Sequence, residues 1–178
     1  MSKQAQAAQG VSDSESDAEF DAEMQSKEAA SCRFYREMFP QATDIVKVET
    51  VEITAIGAKV RLLEYGGLEG FIQMGHVTNK RVRSVLKLLK IGKREMMEVL
   101  RVDEAKQYID LSKKNILREA LEESEERWKK SKKVHEIMIE TSIKIKAPIE
   151  ELYEAWGWDL YDKCGFEHAL DALRVALQ

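Results

Sequence analysis

The sequence predicts an α+β protein, a small five-stranded closed barrel followed by an all-helical domain. Three observations carry this expectation. Between Asp44 and Ser112 apolar residues recur at every second position in short runs separated by glycines. From about Asn115 the apolar period lengthens to that of a helix. The first thirty residues show neither pattern and are dominated by Gln, Ala, Ser, Asp and Glu.

Residues 1–31 hold Lys3 and Lys27 against seven acids, with Phe20 as the single aromatic. Such a segment buries too little apolar surface to offset its chain entropy, so a disordered acidic tail is expected. Ser12, Ser14 and Ser16 stand beside acids, a pattern shared by acidophilic kinase targets and by plain solubilising tails.

The first strand is marked by Ile45, Val46, Val48 and Val51. In the second, Ala58, Val60 and Leu62 alternate with Lys59, Arg61 and Leu63. Gly57 separates these two and Gly66-Gly67 closes the second, as tight turns require. Glu69 to Gln73 forms a third short strand. Met96 to Val102 and Tyr108 to Leu111 form two more, joined by a turn at Asp103-Glu104-Ala105-Lys106. Five short strands interrupted between the third and fourth describe a Greek-key barrel of the OB type, which has no open edge and often binds oligonucleotides. The expected organisation is a tail at 1–31, the barrel at 32–114 with a basic loop at 75–93, and a helical domain at 115–178.

In the helical part, Leu117, Leu121, Trp128, Val134, Ile137 and Met138 are expected to form an apolar stripe. Ala147-Pro148 should end that helix, because proline cannot continue a helix interior but suits the first turn of the next. A last helix is expected after Gly165, with Phe166, Leu170, Leu173 and Leu177 on one face. Trp128, Trp156 and Trp158 read as packing residues.

Composition excludes several function classes. Of 178 residues, 34% are charged, and no apolar run approaches the ~20 residues of a membrane-spanning helix. With no secretory signal either, a soluble cytoplasmic protein without membrane contact is expected. Cys32 and Cys164 are too few and too distant for a disulfide or metal framework and read as inert thiols. His76, His135 and His168 lack metal-ligand spacing. No nucleophile-base-orienter set and no phosphate-cradling glycine loop is present, so neither an enzyme nor a cofactor is expected.

The segment TNKRVRSVLKLLKIGK, Thr78 to Lys93, carries six cations and no acid in a chain of net charge -4. Ser84 stands directly among Lys80, Arg81 and Arg83. A phosphate there would add about -1.5 to -2 charges and reverse the local field. The same cations, Lys80, Arg81, Arg83 and Lys87 with Lys90 and Lys93, suit salt-dependent attraction to nucleic-acid phosphates. Phe71 and Tyr65 offer stacking platforms. From these residues alone, a phosphorylation switch and a serine that merely faces solvent in an RNA-binding loop are equally open.

Specific motifs resemble known families. Gly57, Val60, Leu62, Glu69-Gly70-Phe71-Ile72, Ile91-Gly92, Val99 to Asp103 and Ile109-Asp110-Leu111-Ser112 resemble the S1 motif. In that motif a histidine usually stands where this chain has Gln73. More narrowly, CRFYREMFP, GAKVRLLEY, KRVRSVLKLLKIGK, LRVD and YIDLSKK are similar to the alpha subunit of eukaryotic translation initiation factor 2, over roughly Cys32 to Gln178. The chain is identified as a member of that family. The resemblance implies a non-catalytic subunit that supports delivery of initiator methionyl-tRNA, with mRNA and the small ribosomal subunit as further partners, in a GTP-dependent ternary complex. It implies that Ser84 is phosphorylated by stress-activated kinases. Phosphorylation would then make the subunit an inhibitor of the guanine-nucleotide exchange factor. Lys106, Tyr108, Ile109 and Asp110 correspond to the family's kinase docking motif, with Gln107 in place of its usual glycine. Family members join the gamma subunit through a third, mixed α/β domain, and because the sequence stops at Gln178 that contact is expected to be absent. The alternative from another class is an autonomous S1-type RNA-binding module. A decoy of the kinase substrate is disfavoured, since a decoy needs no acceptor hydroxyl.

Overall fold

Alternating apolar residues become five strands: β1 (Ile45–Ile53), β2 (Gly57–Leu62), β3 (Glu69–Gln73), β4 (Arg94–Asp103) and β5 (Tyr108–Ser112). This computed structural model describes residues 32–78 and 88–163. The expected acidic tail, Ser84 with Lys80, Arg81, Arg83 and Lys87, and the helix expected after Gly165 lie outside the described residues. The strands close in the order β1-β2-β3-β5-β4. β3 and β5 pair in parallel, while the other four junctions are antiparallel. A parallel junction between strands so close in sequence demands a crossover, and the basic segment between β3 and β4 is part of it.

The barrel core is nearly dry. Val48, Leu62, Ile72, Met97, Val99 and Ile109 are all at 0% exposure, and a fully buried side chain of this kind contributes about 1.5–3 kcal/mol through lost water contact. Val51, expected among the residues marking the first strand, is instead 46% exposed. Thr50 keeps the inward position that Val46 and Val48 set, Val51 falls outward as an extra residue at the bulge between Thr50 and Glu52, and the alternation then slips by one, so that Glu52 stays outward and Ile53 packs on the core. A matching irregularity between Val99 and Arg101 leaves Leu100 as an extra outward residue and keeps Arg101 outward beside Asp110.

The helical part comprises α1 (Arg118–Ile145), α2 (Ile149–Leu152), a π turn at Tyr153–Gly157 and α3 (Trp158–Lys163). The expected stripe on α1 needs correction. Leu117 precedes α1 at its N-cap and is 73% exposed, and Ile137 also faces solvent. The face that α1 buries is Ser124, Ser131, Val134, His135, Met138 and Ser142. Its neighbours are aromatic rings, and small hydroxyl residues let those rings approach and supply hydrogen bonds, as between Tyr35 Oη and Ser131 Oγ at 3.0 Å. At its end Lys146 adopts φ 55°, Ala147 N–H donates to Ser142 O, and Pro148 leads into α2, as the sequence indicates. Gly157 permits the next contact: a Cβ there would lie 2.8 Å from Met138 Cε.

Residues 32–39 tie the two parts together. Cys32 is buried in the helical core, Arg33 forms a bridge to Tyr65 beyond β2, and Phe34 N–H donates to Glu64 O at 2.9 Å. Phe34 lies against Trp128 and His135, and the Arg33 guanidinium sits 4.4 Å from the Trp158 ring centroid. Arg127 on α1 reaches back to donate to Ile45 O at 3.0 Å. Burial pushes the Cys32 thiol up to about 12, so it stays protonated at neutral pH. No described helix is long and apolar enough to cross a membrane.

Candidate nucleic-acid and regulatory surface

Strand register places a chemically mixed row on the outside of the barrel. Glu52 pairs with Lys59, Lys59 with Phe71, Phe71 with Asp110, and Asp110 with Arg101. Phe71 therefore stands between a cation on β2 and an acid on β5, with Arg101 one strand further. A Cβ added to Gly57 would lie 2.4 Å from Phe71 Cζ, so the absence of a side chain at Gly57 is what lets the ring lie down there. A half-buried ring fixed beside Lys59 and within a row containing Arg101 can stack a base while the cations meet its phosphates. Lys59 is already paired with Glu52 at 3.2 Å, both well exposed, so that pair can open at little cost.

The basic segment is anchored on both flanks. A 3-10 turn, Met74–His76, follows β3 and delivers Val77 into the barrel core, and Leu89 enters the same core on the return. Gly92 N–H donates to Thr50 O, and Lys93 O accepts from Thr50 N–H, which fixes the approach to β4. Beside this return, Glu95 Oε1 takes both Lys93 and Lys113, the latter at 2.6 Å. Burial raises the Glu95 pKa, but the two lysine hydrogen bonds outweigh it and hold the carboxyl below its usual value. Lys113 and Lys93 are thus partly neutralised, whereas no acid lies in the sequence between Thr78 and Lys93.

The residues matching the docking motif fall around the β4–β5 turn. The Lys106 side chain is 80% exposed, and its amide donates to Asp103 Oδ1. Tyr108 is 43% exposed, and its hydroxyl pKa is raised by burial and by its hydrogen bond to Asp110. Asp110 faces outward beside Phe71. Ile109 differs, because it points into the barrel at 0% exposure and its side chain can only pack there. Gln107 adopts φ 50°, the left-handed region in which glycine is free of strain. Lys59 and Arg101 were not singled out from sequence, because the row they belong to exists only once the register and the parallel β3–β5 junction are known. Among the described residues no group of three or more His, Cys, Asp or Glu side chains converges on a metal position.

Comparison with known proteins agrees with this geometry. Residues 40–114 match the S1 RNA binding domain. Eukaryotic translation initiation factor 2 subunit 1 of Plasmodium falciparum is 43% identical over 145 residues, which is 82% of this chain and 44% of that protein. The chain therefore spans less than half the length of that curated relative. Among solved structures, the intact alpha subunit of aIF2 from Pyrococcus abyssi matches with a TM-score of 0.72 at 24% identity, over 80% of this chain and 54% of that one, which shows the fold. A second, from Pyrococcus horikoshii, is a/eIF2alpha in a complex with aDim2p and rRNA, with a TM-score of 0.67 and 25% identity over 78% of this chain and 81% of that one. Through the 82% of its length that aligns, the chain is a homologue of the alpha subunit of eukaryotic translation initiation factor 2 and belongs to that family, with an S1 RNA binding domain as its barrel.

Proposed function

We propose that this chain acts as the barrel-and-helix part of a translation initiation factor subunit, in the cytoplasm and without catalysis of its own. In this reading it helps to hold initiator methionyl-tRNA against mRNA and the small ribosomal subunit within a GTP-dependent complex. The observation that carries the proposal is the 43% identity over 145 residues to a translation initiation factor 2 subunit. The outer row with Phe71 between Lys59 and Asp110 supports the RNA-facing part.

Regulation is assigned to Ser84. Six cations and no acid lie between Thr78 and Lys93, so a phosphate would find guanidinium and ammonium partners and present a reversed field to any macromolecule that reads the segment. That macromolecule is taken to be the guanine-nucleotide exchange factor, which the phosphorylated form would inhibit. Kinase docking would use the exposed side chains of Lys106 and Tyr108 and the half-buried Asp110, with Ile109 supplying backbone and a rigid strand. Incubation with a stress-type kinase followed by mapping of the phosphate tests this. Incorporation at Ser84, abolished by Ser84→Ala and slowed by Lys106→Ala, is expected. Dominant phosphorylation elsewhere, with Ser84→Ala behaving as the parent, would remove the switch.

A second reading, an autonomous S1-type RNA-binding module, is favoured by the same Phe71 row. It requires strong binding of single-stranded RNA by the chain alone, falling steeply with salt. Weak binding under those conditions would leave the subunit reading.

A further inference from the structure

The joint between barrel and helices forms an open cavity of about 330 Å³, lined by Tyr35, Glu37, Phe39, Gln41, Asp44, Tyr65 and Arg127. Its size suits the head of one long side chain. Its chemistry is unlike that of the outer row or the basic segment. Tyr35 and Tyr65 meet with ring centroids 5.6 Å apart and planes at 48°, forming an angled aromatic corner beside Phe39. Both phenols have their pKa pushed well above the ordinary tyrosine value, chiefly by burial, so they are neutral and add no phenolate charge to the cavity. Two carboxylates, Glu37 and Asp44, share the rim with a single cation, Arg127. That cation donates one hydrogen bond to Ile45 O at 3.0 Å and keeps its charge, so the two carboxylates and one guanidinium leave the lining net negative by one. Asp44 Oδ2 accepts from Gln41 N–H at 2.8 Å, which fixes the carboxylate at the rim.

We propose that this cavity receives one cationic head group, the guanidinium or ammonium of an arginine or lysine side chain on a partner protein. A cation placed against the corner meets the negative faces of two or three rings. It also meets two carboxylates, for an attraction strengthened by partial exclusion of water. An anion would face two carboxylates with one arginine to offset them. An apolar group would strip water from the rim acids without replacing its hydrogen bonds. RNA phosphate is disfavoured on the same charge argument, so this site and the basic segment sort different partners. The inference does not rest on the proposed function, since it uses only the geometry of the joint.

The test is titration of the folded chain, followed by amide chemical shifts, with N-acetyl-arginine amide, N-acetyl-lysine amide, free arginine and inorganic phosphate. Saturable shifts clustered at Gln41, Asp44, Tyr65 and Arg127 are expected with the blocked arginine or lysine, at dissociation constants on the order of millimolar for so small a probe. Glu37→Gln, which removes an exposed charge, should weaken binding about threefold, and Glu37→Gln with Asp44→Asn about tenfold. Phosphate should leave these amides unmoved. Shifts produced by phosphate, no clustered shifts with either blocked probe, or no weakening in Glu37→Gln would each overturn the proposal. Tenfold tighter binding of free arginine than of the blocked amide would identify a small-molecule site and overturn the assignment to a partner's side chain.

Discussion

The barrel and the helical part are held together by different chemistry. Inside the barrel the buried side chains are aliphatic almost throughout, with Val48, Leu62, Ile72, Val99 and Ile109 at 0% exposure and the backbone satisfied by five strand junctions. Inside the helical part, the buried set includes Ser124, Ser131, His135, Ser142, Tyr153 and Trp158. There, hydrogen bonds such as His135 Nδ1 with Tyr153 Oη at 2.9 Å stand in for aliphatic contact. The difference teaches where each part is vulnerable. The barrel depends on volume, and the helical part depends on pairing.

The largest effect should come from volume. Ile72→Ala removes a core residue of the barrel and should cost about 2–5 kcal/mol, read as a lowered denaturant midpoint. A cost under about 1 kcal/mol would mean that the barrel core is not close-packed. Pairing comes next. Tyr153→Phe keeps the ring but removes the hydroxyl opposite His135, and should cost about 1–2 kcal/mol with little change in shape. An unchanged midpoint would show that His135 does not depend on this hydroxyl.

The joint itself should respond to pH. Glu64 is 1% exposed, and burial raises its pKa against the opposing pull of the Lys47 amide, the Arg127 charge and the Tyr35 hydroxyl. A raised carboxyl pKa means that the folded state holds its proton more tightly than the unfolded chain. Its contribution is therefore full below the ordinary glutamate value of about 4.3 and is lost as pH rises through the folded value. Glu64→Gln has no proton to lose, so its stability relative to the parent should rise across that window. Parallel stability profiles from pH 4 to pH 8 would contradict the assignment. The smallest effect belongs to the β4–β5 turn. Gln107 sits at φ 50°, and Gln107→Gly should stabilise by no more than about 1 kcal/mol, since relief of left-handed strain is partly offset by greater freedom in the unfolded chain.

The barrel was legible because period two survives in sequence wherever one face is buried. It failed at the two bulges, where Val51 and Leu100 are extra outward residues with no glycine or proline to announce them. The α1 packing was not legible, because Ser124, Ser131 and Ser142 look like solvent residues in sequence, whereas all three are buried, Ser131 against the Tyr35 hydroxyl and Ser142 donating to Ala147 O. Of the candidate site, Phe71 could be found from sequence and Lys59 and Arg101 could not, since cross-strand neighbours are set by register. Ile109 shows the opposite failure. The motif that names it counts residues in a row, while a strand sends alternate side chains to opposite faces, and Ile109 goes inward.

The most direct measurement is the affinity of the guanine-nucleotide exchange factor for this chain with and without phosphate on Ser84, on the full 178 residues. Binding at least about tenfold tighter is expected for the phosphorylated form, a difference near 1.4 kcal/mol. Equal affinity of the two forms, with phosphate confirmed on Ser84, would contradict it.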